Sequence, residues 1–298
     1  MKGRRLLSLL LSGTGLLAGA CSPSGEPAQV TAAQSAPAVR TPAPSRRPLE
    51  AGKRQITIPV SSGEVGGILY LPDADGPVPL ILLCHGLGAS HTSLEDWAQA
   101  FALRGYAAFT FDFRGCGSLS TGSPYEMSVM TEAEDVSTVL SEARTWEFAD
   151  PEKIVILGES QGGFAGAAAA SLHPQELAAL ILLYPAFVIP VHIHARFSSK
   201  EEVPEVFTQL GVPLGRRYAL DLWDYDVYDE IGAYEGPVLI IHGTADDIVP
   251  FSYSQKALEV YKNAVLIPFE GAGHGFFSER SQAFEDAAAF LADEGIVP

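Results

Sequence analysis

The chain has 298 residues and a formal net charge of −17. A protein this acidic lacks the basic face that nucleic acids and anionic membrane surfaces need, so neither is expected as a partner. Its three cysteines exclude a disulfide scaffold, which needs many more. Cys84 and Cys116 could still form one bridge if the protein is exported, although Cys84 ends an apolar run and is expected to be a buried thiol.

The first twenty residues have the features of a bacterial signal peptide. Basic side chains precede the apolar run 6–17, which is too short to span a membrane. The run continues through small residues into Cys21, and this junction resembles the lipobox of bacterial lipoproteins. We therefore expect residues 1–20 to be removed and Cys21 to be lipidated, giving an exported, membrane-anchored lipoprotein. The alternative is ordinary secretory cleavage near Ala20.

Residues 21–50 are expected to be a tether that is not part of the fold. They are rich in Pro, Ala and Ser and contain too few large apolar side chains to bury a core. Residues 51–298 show no second break in composition and no internal repeat, and one α/β domain can reach this length. The sequence therefore predicts a single folded domain behind an N-terminal tether.

Strand and helix patterns alternate along residues 51–298. Two segments, 55–60 and 67–71, alternate between apolar and polar residues and predict an antiparallel hairpin at one edge of a sheet. Buried strands are predicted at 79–84, 106–111, 153–157, 178–183, 237–241 and 264–268. Helices are predicted at 93–103, 132–146, 164–172, 254–261 and 281–291. This alternation is typical of a mostly parallel sheet with helices on both faces, whose sites lie at the carboxyl ends of the strands.

A GxSxG motif, centred on Ser160, directly follows the strand at 153–157. An alanine-rich run comes next, so the motif occupies a sharp turn between a strand and a helix. The serine of such a turn has a strained backbone that lifts its hydroxyl clear of the sheet, where it can act as a nucleophile. The motif alone is equally compatible with an ordinary Gly/Ser turn, so the other strand ends decide between these interpretations.

Asp246 and His274 follow two later strands and complete the order Ser, Asp, His, which is expected of α/β-hydrolases. His274 can accept the proton of Ser160 near neutral pH, and a carboxylate can orient the imidazole and stabilise its charged form. Asp247 is the nearest competitor for the acid. Taken singly, Asp246 could merely cap a helix and His274 could be a loop residue, but together they predict a catalytic triad.

Two backbone N–H groups are candidates for stabilising the oxyanion of an acyl-transfer reaction. One belongs to Gln161, the residue after the nucleophile. The other belongs to Leu87, in a His-Gly turn after the first parallel strand. His85 lies in the same turn and is expected to be a structural hydrogen-bonding residue, not a catalytic base.

Five segments together resemble the α/β-hydrolase superfamily, and among its members the bacterial feruloyl and cinnamoyl esterases. They are 85–88, 105–117, 158–163, 242–246 and 273–274, and the similarity extends over nearly all of residues 55–293. The resemblance implies an α/β-hydrolase fold, no cofactor, and an oxyanion hole formed by Leu87 and Gln161. Leu87 stands where feruloyl esterases often have Phe, and Cys116 stands where His is common.

About fifty residues separate the strand at 178–183 from the one at 237–241, and hydrolases of this kind carry a cap there. We expect a cap at about 187–233. Its aromatic residues suggest an apolar or aromatic acyl group, or else they form the core of the cap: Phe187, Phe197, Phe207, Tyr218, Trp223, Tyr225 and Tyr228. His192 and His194 have no Cys, Asp or Glu partner at ligand spacing, so no metal is expected.

The sequence predicts a serine carboxylesterase that forms an acyl-enzyme with a small-molecule ester. Its candidate substrates are esters with aromatic or short-to-medium acyl groups. Contact with a membrane is expected only through the lipid anchor. Two alternatives stay open. One is a peptidase or amidase of the same fold, because a triad does not distinguish the leaving group. The other is a surface binding protein in which the hydrolase site is vestigial.

Overall fold

The computed structural model describes residues 50–298. The predicted signal peptide, Cys21 and the predicted tether up to residue 49 lie outside the described residues. Within the described part of the chain, no helix combines the length and the apolar character that crossing a membrane requires.

Ten strands occur in the described residues. They are β1 (Gly52–Val60), β2 (Gly63–Leu71), β3 (Val78–Cys84), β4 (Ala107–Phe111), β5 (Ala149–Glu159), β6 (Ala179–Leu183), β7 (Val206–Gln209), β8 (Val212–Gly215), β9 (Val238–Gly243) and β10 (Ala264–Phe269). Eight of them form one sheet in the order β1-β2-β4-β3-β5-β6-β9-β10, while β7 and β8 pair separately. The pairs β1–β2 and β2–β4 are antiparallel, and the other pairs of the large sheet are parallel. The predicted edge hairpin and mostly parallel sheet are confirmed.

Eight α-helices also occur in residues 50–298. They are α1 (Glu95–Leu103), α2 (Val129–Ala143), α3 (Ser160–Leu172), α4 (Ile189–Arg196), α5 (Arg216–Leu220), α6 (Val227–Glu230), α7 (Ser252–Val260) and α8 (Arg280–Asp293). The helix predicted at 132–146 begins three residues earlier because Ser128 caps it. The Ser128 side chain accepts a hydrogen bond from the N–H of Thr131, and the Thr131 side chain bonds back to the N–H of Ser128.

Helices cover both faces of the sheet, so successive residues of a central strand enter two different cores. In β3, Leu80 and Leu82 belong to the core that includes α2 and α3. Ile81 and Leu83 belong to the core that includes α1 and α8. All four side chains are fully buried, which explains why the parallel strands appear in the sequence as continuous apolar runs.

Between β6 and β9 the chain forms an insertion, residues 184–237, that contains α4, the β7–β8 hairpin, α5 and α6. The tip of the hairpin is Leu210-Gly211, and both residues have positive φ angles, 48° and 83°. The short helix α5 lies against the start of α2, where Ser128 Oγ donates a 2.6 Å hydrogen bond to Asp221. These contacts fix the insertion beside the carboxyl ends of the strands.

The two described cysteines are free thiols. Cys84 is fully buried in the first core, and burial raises the pKa of its thiol well above the ordinary value. The bridge to Cys116 that the sequence left open is therefore absent from the described part of the chain.

Candidate active site

Ser160 occupies a strained turn where β5 ends and α3 begins. Its φ angle is +51°, a left-handed conformation that is unfavourable for a residue with a side chain. The flanking glycines allow the strand and the helix to cross closely. A Cβ on Gly158 would lie 2.4 Å from the carbonyl oxygen of Gly162, and a Cβ on Gly162 would lie 2.3 Å from that of Cys84. Side chains at these two positions would therefore disrupt the turn.

A continuous chain of hydrogen bonds joins Ser160, His274 and Asp246. Ser160 Oγ lies 3.0 Å from His274 Nε2, and His274 Nδ1 lies 2.7 Å from Asp246 Oδ2. A carboxylate can only accept, so the proton is on Nδ1 and the Ser160 hydroxyl donates to Nε2. The fold thus brings together all three residues that the sequence predicted to form a triad.

Asp246 is buried and held by several donors. Its Oδ1 accepts hydrogen bonds from the backbone N–H groups of Ile248 and Val249, at 2.9 and 2.8 Å. Burial alone would raise the pKa of this carboxyl, but hydrogen bonds from His242 and His274 outweigh it and hold the pKa well below its usual value. The carboxylate is therefore ionised at neutral pH.

Asp247, the competing acid, is exposed and makes no hydrogen bond to His274 among the described residues. The structure thus places Asp246 alone of the two at the imidazole.

The N–H groups of Leu87 and Gln161 are free to bind an oxyanion. Neither donates a hydrogen bond within the described part of the chain. The turn that carries Leu87 passes directly over the nucleophile, since a Cβ on Gly86 would lie 3.3 Å from Ser160 Cβ. Gln161 is at the first turn of α3, where N–H groups have no acceptor within the helix.

His85 is a buried structural residue. Its Nε2 accepts a hydrogen bond from the N–H of Phe113, at 3.2 Å, so its Nδ1 carries the proton and donates to the carbonyl of Gly86, at 2.9 Å. Burial lowers the pKa of its imidazole, so the ring is neutral. These contacts agree with the structural role expected from the sequence.

Ser160 and His274 open into a cavity of about 840 Å³. Leu87, Leu210 and Phe277 give its wall an apolar part, and the last two are 66% and 88% exposed at the mouth. The polar part of the wall includes Glu95, Asp96, Glu159 and Arg280. A cavity of this size accommodates a small organic molecule.

The aromatic residues predicted to shape an acyl pocket do not line this cavity. Phe187, Phe207 and Tyr218 are buried in the first core, and the others pack against it: Phe197, Trp223, Tyr225 and Tyr228. They form the core of the insertion, which was the second interpretation of the sequence. His194 bonds to the carbonyl of Trp223 at 2.8 Å, and no metal-binding group of His, Cys, Asp and Glu occurs within residues 50–298.

Tyr184 is a site residue that the sequence analysis missed. Its ring lies 4.7 Å from the ring of His274 in an edge-to-face contact, and its hydroxyl donates a 3.0 Å hydrogen bond to Glu159. Its φ angle is +40°, so the backbone is strained here too. The available signal was its position directly after β6, at the carboxyl end of the strand beside β5.

Comparisons with known proteins agree with this fold. The family described as "Serine aminopeptidase, S33" matches residues 75–217, and the family described as "TAP-like protein" matches residues 224–298. An uncharacterized protein of Mycobacterium tuberculosis is 30% identical over 237 residues, which are 78% of this chain and 76% of that protein. The AB hydrolase superfamily protein YisY of Bacillus subtilis is 26% identical over 260 residues, covering 74% of this chain and 94% of YisY.

Among solved structures, Est1E from Butyrivibrio proteoclasticus with bound ferulic acid is similar, with a TM-score of 0.74. The match covers 80% of this chain and 98% of Est1E at 24% identity, so it bears on the fold alone. The sheet order, the elbow at Ser160 and these relatives lead to one conclusion: the chain belongs to the α/β-hydrolase superfamily.

Proposed function

We propose that the protein is a serine carboxylesterase. Ser160 Oγ attacks the ester carbonyl while His274 takes its proton, and the N–H groups of Leu87 and Gln161 stabilise the oxyanion. His274 then protonates the departing alcohol, and water releases the acyl group by the same steps in reverse. Asp246 keeps the imidazole in the tautomer that accepts from serine. The observation that carries the proposal is the hydrogen-bond chain of 3.0 and 2.7 Å at the wall of an open cavity.

The proposed substrates are small esters with aromatic or short-to-medium acyl groups. Est1E, which shares the fold, is known with ferulic acid bound, and ferulic acid is the acid that hydrolysis of a feruloyl ester would release. The apolar part of the wall, formed by Leu87, Leu210 and Phe277, can cover an apolar acyl group. No cofactor enters the proposed reaction.

A peptidase or amidase activity is the second candidate, because the family that matches residues 75–217 is described as a serine aminopeptidase. The triad chemistry is the same for both leaving groups. A third candidate is a surface binding protein with a vestigial site, against which the intact hydrogen-bond chain argues.

A fluorophosphonate probe and a substrate panel test these candidates. The probe should label the wild-type protein and leave a folded Ser160→Ala variant unlabelled. If the folded wild type did not react with the probe, the hypothesis that the protein is a serine hydrolase would be wrong. The panel contains nitrophenyl acyl esters, methyl ferulate and aminoacyl anilides. We expect faster turnover of the esters. Faster turnover of the anilides would mean that the protein is a peptidase or amidase and not an esterase.

We further propose that the protein is exported and held on the cell envelope by a lipid on Cys21. The run of small residues into this cysteine supports the proposal. The strongly acidic mature chain makes electrostatic attachment to an anionic membrane surface unfavourable, so the lipid would be its only membrane contact.

A further inference from the structure

The side chain of Gln161 is held from two directions by buried hydrogen bonds. Its Nε2 donates to Glu132 Oε1 at 2.8 Å, and its Oε1 accepts from the hydroxyl of Tyr218 at 2.6 Å. All three residues are only 1% exposed. Because Gln161 directly follows Ser160, both hydrogen bonds act one residue away from the reacting hydroxyl.

Glu132 comes from α2 and makes no other side-chain hydrogen bond within the described residues. Burial raises the pKa of its carboxyl well above the ordinary value, and the charge of Asp135 raises it further, while the bond from Gln161 has the opposite effect. Burial therefore favours the protonated, neutral form of this carboxyl. Its Oε2 is buried without a hydrogen-bond partner in the described part of the chain, which makes the group costly to bury.

Tyr218 comes from α5 in the insertion, and the insertion is attached firmly to the body of the hydrolase at this point. Ser128 at the start of α2 donates to Asp221 at the end of α5, at 2.6 Å. The main chains also touch, because a Cβ on Gly215 would lie 1.8 Å from the carbonyl oxygen of Tyr125. The Tyr218 hydroxyl thus has a fixed position relative to Gln161.

An oxyanion donor must be held in place before the reaction, because its effect depends on a distance of about 2.7–3.1 Å to the developing charge. The N–H of Gln161 lies at the first turn of α3, where hydrogen bonds within the helix do not use it. The carbonyl of Ser160, on the same peptide unit as this N–H, accepts a 2.9 Å hydrogen bond from the N–H of Ala186. Anchoring of the Gln161 side chain on both of its polar atoms adds a second restraint on this residue.

We propose that Tyr218 and Glu132 are positioning residues that fix the oxyanion-binding N–H of Gln161 through its side chain. The inference rests on the proposed acyl-transfer function. It makes the insertion a structural support of the oxyanion hole, in addition to its contribution of Leu210 to the cavity wall. Neither residue lines the cavity, so their effect should fall on turnover and spare substrate binding.

The first test compares Tyr218→Phe with Tyr234→Phe. Tyr218→Phe leaves Gln161 Oε1 buried without its donor and should lower kcat about 10- to 100-fold, since small displacements of catalytic groups have effects of this size. KM should change less than about twofold because ground-state binding is retained. Tyr234 is fully buried too, but its hydroxyl has no hydrogen-bond partner among residues 50–298, so Tyr234→Phe should keep wild-type kcat.

The second test measures the oxyanion hole directly. Ser160 Oγ adds to the carbonyl carbon of an aryl trifluoromethyl ketone and forms a hemiketal oxyanion. The matching methyl ketone binds as a ground-state analogue. Tyr218→Phe should weaken binding of the trifluoromethyl ketone by the same factor by which kcat/KM falls. Binding of the methyl ketone should not change. Equal weakening of both inhibitors would mean a general loss of structure and would overturn the inference.

The third test uses Glu132 and does not depend on Tyr218→Phe being folded. Glu132→Gln keeps an acceptor oxygen for the Gln161 amide and should keep kcat within about twofold, whereas Glu132→Leu removes the acceptor and should lower it about tenfold or more. Equal kcat values for these two variants, or for Tyr218→Phe and Tyr234→Phe, would overturn the inference while leaving the esterase intact. A wild type that neither labels nor hydrolyses esters would instead remove the proposed function, and the inference with it.

Discussion

His242 shares the carboxylate of Asp246 with His274. Its Nε2 lies 3.1 Å from Asp246 Oδ2, the same oxygen that His274 contacts at 2.7 Å. His242 Nε2 is also 2.9 Å from the carbonyl of Val249, while its Nδ1 is 2.6 Å from Ser254 Oγ. Two acceptors face Nε2, so the proton is there and the Ser254 hydroxyl donates to Nδ1. His242 therefore acts as a fixed donor that holds the acid in position.

Replacing Asp246 by Asn should lower kcat by about 10⁴-fold with little change in substrate binding, because an amide can present N–H to His274 and stabilise the wrong tautomer. The matched control is Asp247→Asn, which removes a carboxylate of the same type from the next, exposed position. The control should keep kcat within about twofold, as expected of a surface change. Ester hydrolysis at saturating substrate measures both variants. A larger loss in Asp247→Asn would show that the acid is Asp247.

Gly162→Ala should destabilise the fold by about 2–3 kcal/mol or more and abolish fluorophosphonate labelling. The reason is that the new Cβ would lie 2.3 Å from the carbonyl oxygen of Cys84, so the strand or the helix must move. Gly76→Ala makes the same substitution where nothing lies within 4 Å of the added Cβ, and it should label normally. Urea unfolding gives the two stabilities. Normal stability and labelling of Gly162→Ala would mean that the elbow does not need this glycine.

Lipidation at Cys21 can be tested by growing expressing cells with labelled palmitate. The wild type and a Cys116→Ala variant should incorporate the label, since the second variant keeps the cysteine that follows the small residues. Cys21→Ala should incorporate none. Incorporation into Cys21→Ala would exclude this residue as the anchor and leave ordinary secretory cleavage.

The fold class could be predicted because it follows from local patterns of apolar and polar residues. Continuous apolar runs such as 79–84 identify strands, and each of them is found in the sheet. The expected burial is wrong for the run 264–268, because β10 lies at the edge of the sheet and is only partly buried. The order of Ser160, Asp246 and His274 likewise predicts which side chains meet, because parallel strands deliver them to one edge. Their mutual distances follow from the topology more than from any local preference.

The surroundings of the site could not be predicted, because they depend on contacts between distant segments. Gln161 was identified for its backbone N–H, yet its side chain bonds to Tyr218, 57 positions away. Tyr184 has no motif of its own, and only the pairing of β6 with β5 brings it near Glu159. The rings of the insertion pack inward because the core offers them more burial than the cavity does, and composition alone does not distinguish these two uses.

The buried carboxyl of Glu132 predicts how stability depends on pH. Burial raises its pKa in the folded protein, so the folded state keeps the proton that the unfolded state loses above about pH 4.3. The contribution of this group to stability is therefore complete below that pH and is lost as pH rises toward the folded pKa. Three other titratable groups around the carboxyl remain neutral over this range because burial raises their pKa values: Cys84, Cys116 and Tyr218.

Glu132→Gln should accordingly be more stable than the wild type, by a margin that grows with pH. The gain in free energy of unfolding should be near zero at pH 4 and rise by up to about 1.4 kcal/mol per pH unit above pH 4.3, until the folded pKa is reached. Asp135 has a pKa raised by burial to about 6, and its negative charge raises the pKa of Glu132 further. Its ionisation should therefore extend the pH range over which the margin grows, without changing the slope. Urea unfolding at pH 4 to 8 measures the difference. A difference that does not change with pH would mean that Glu132 ionises equally in both states, and a decreasing one would mean that its charged form is the stabilised one.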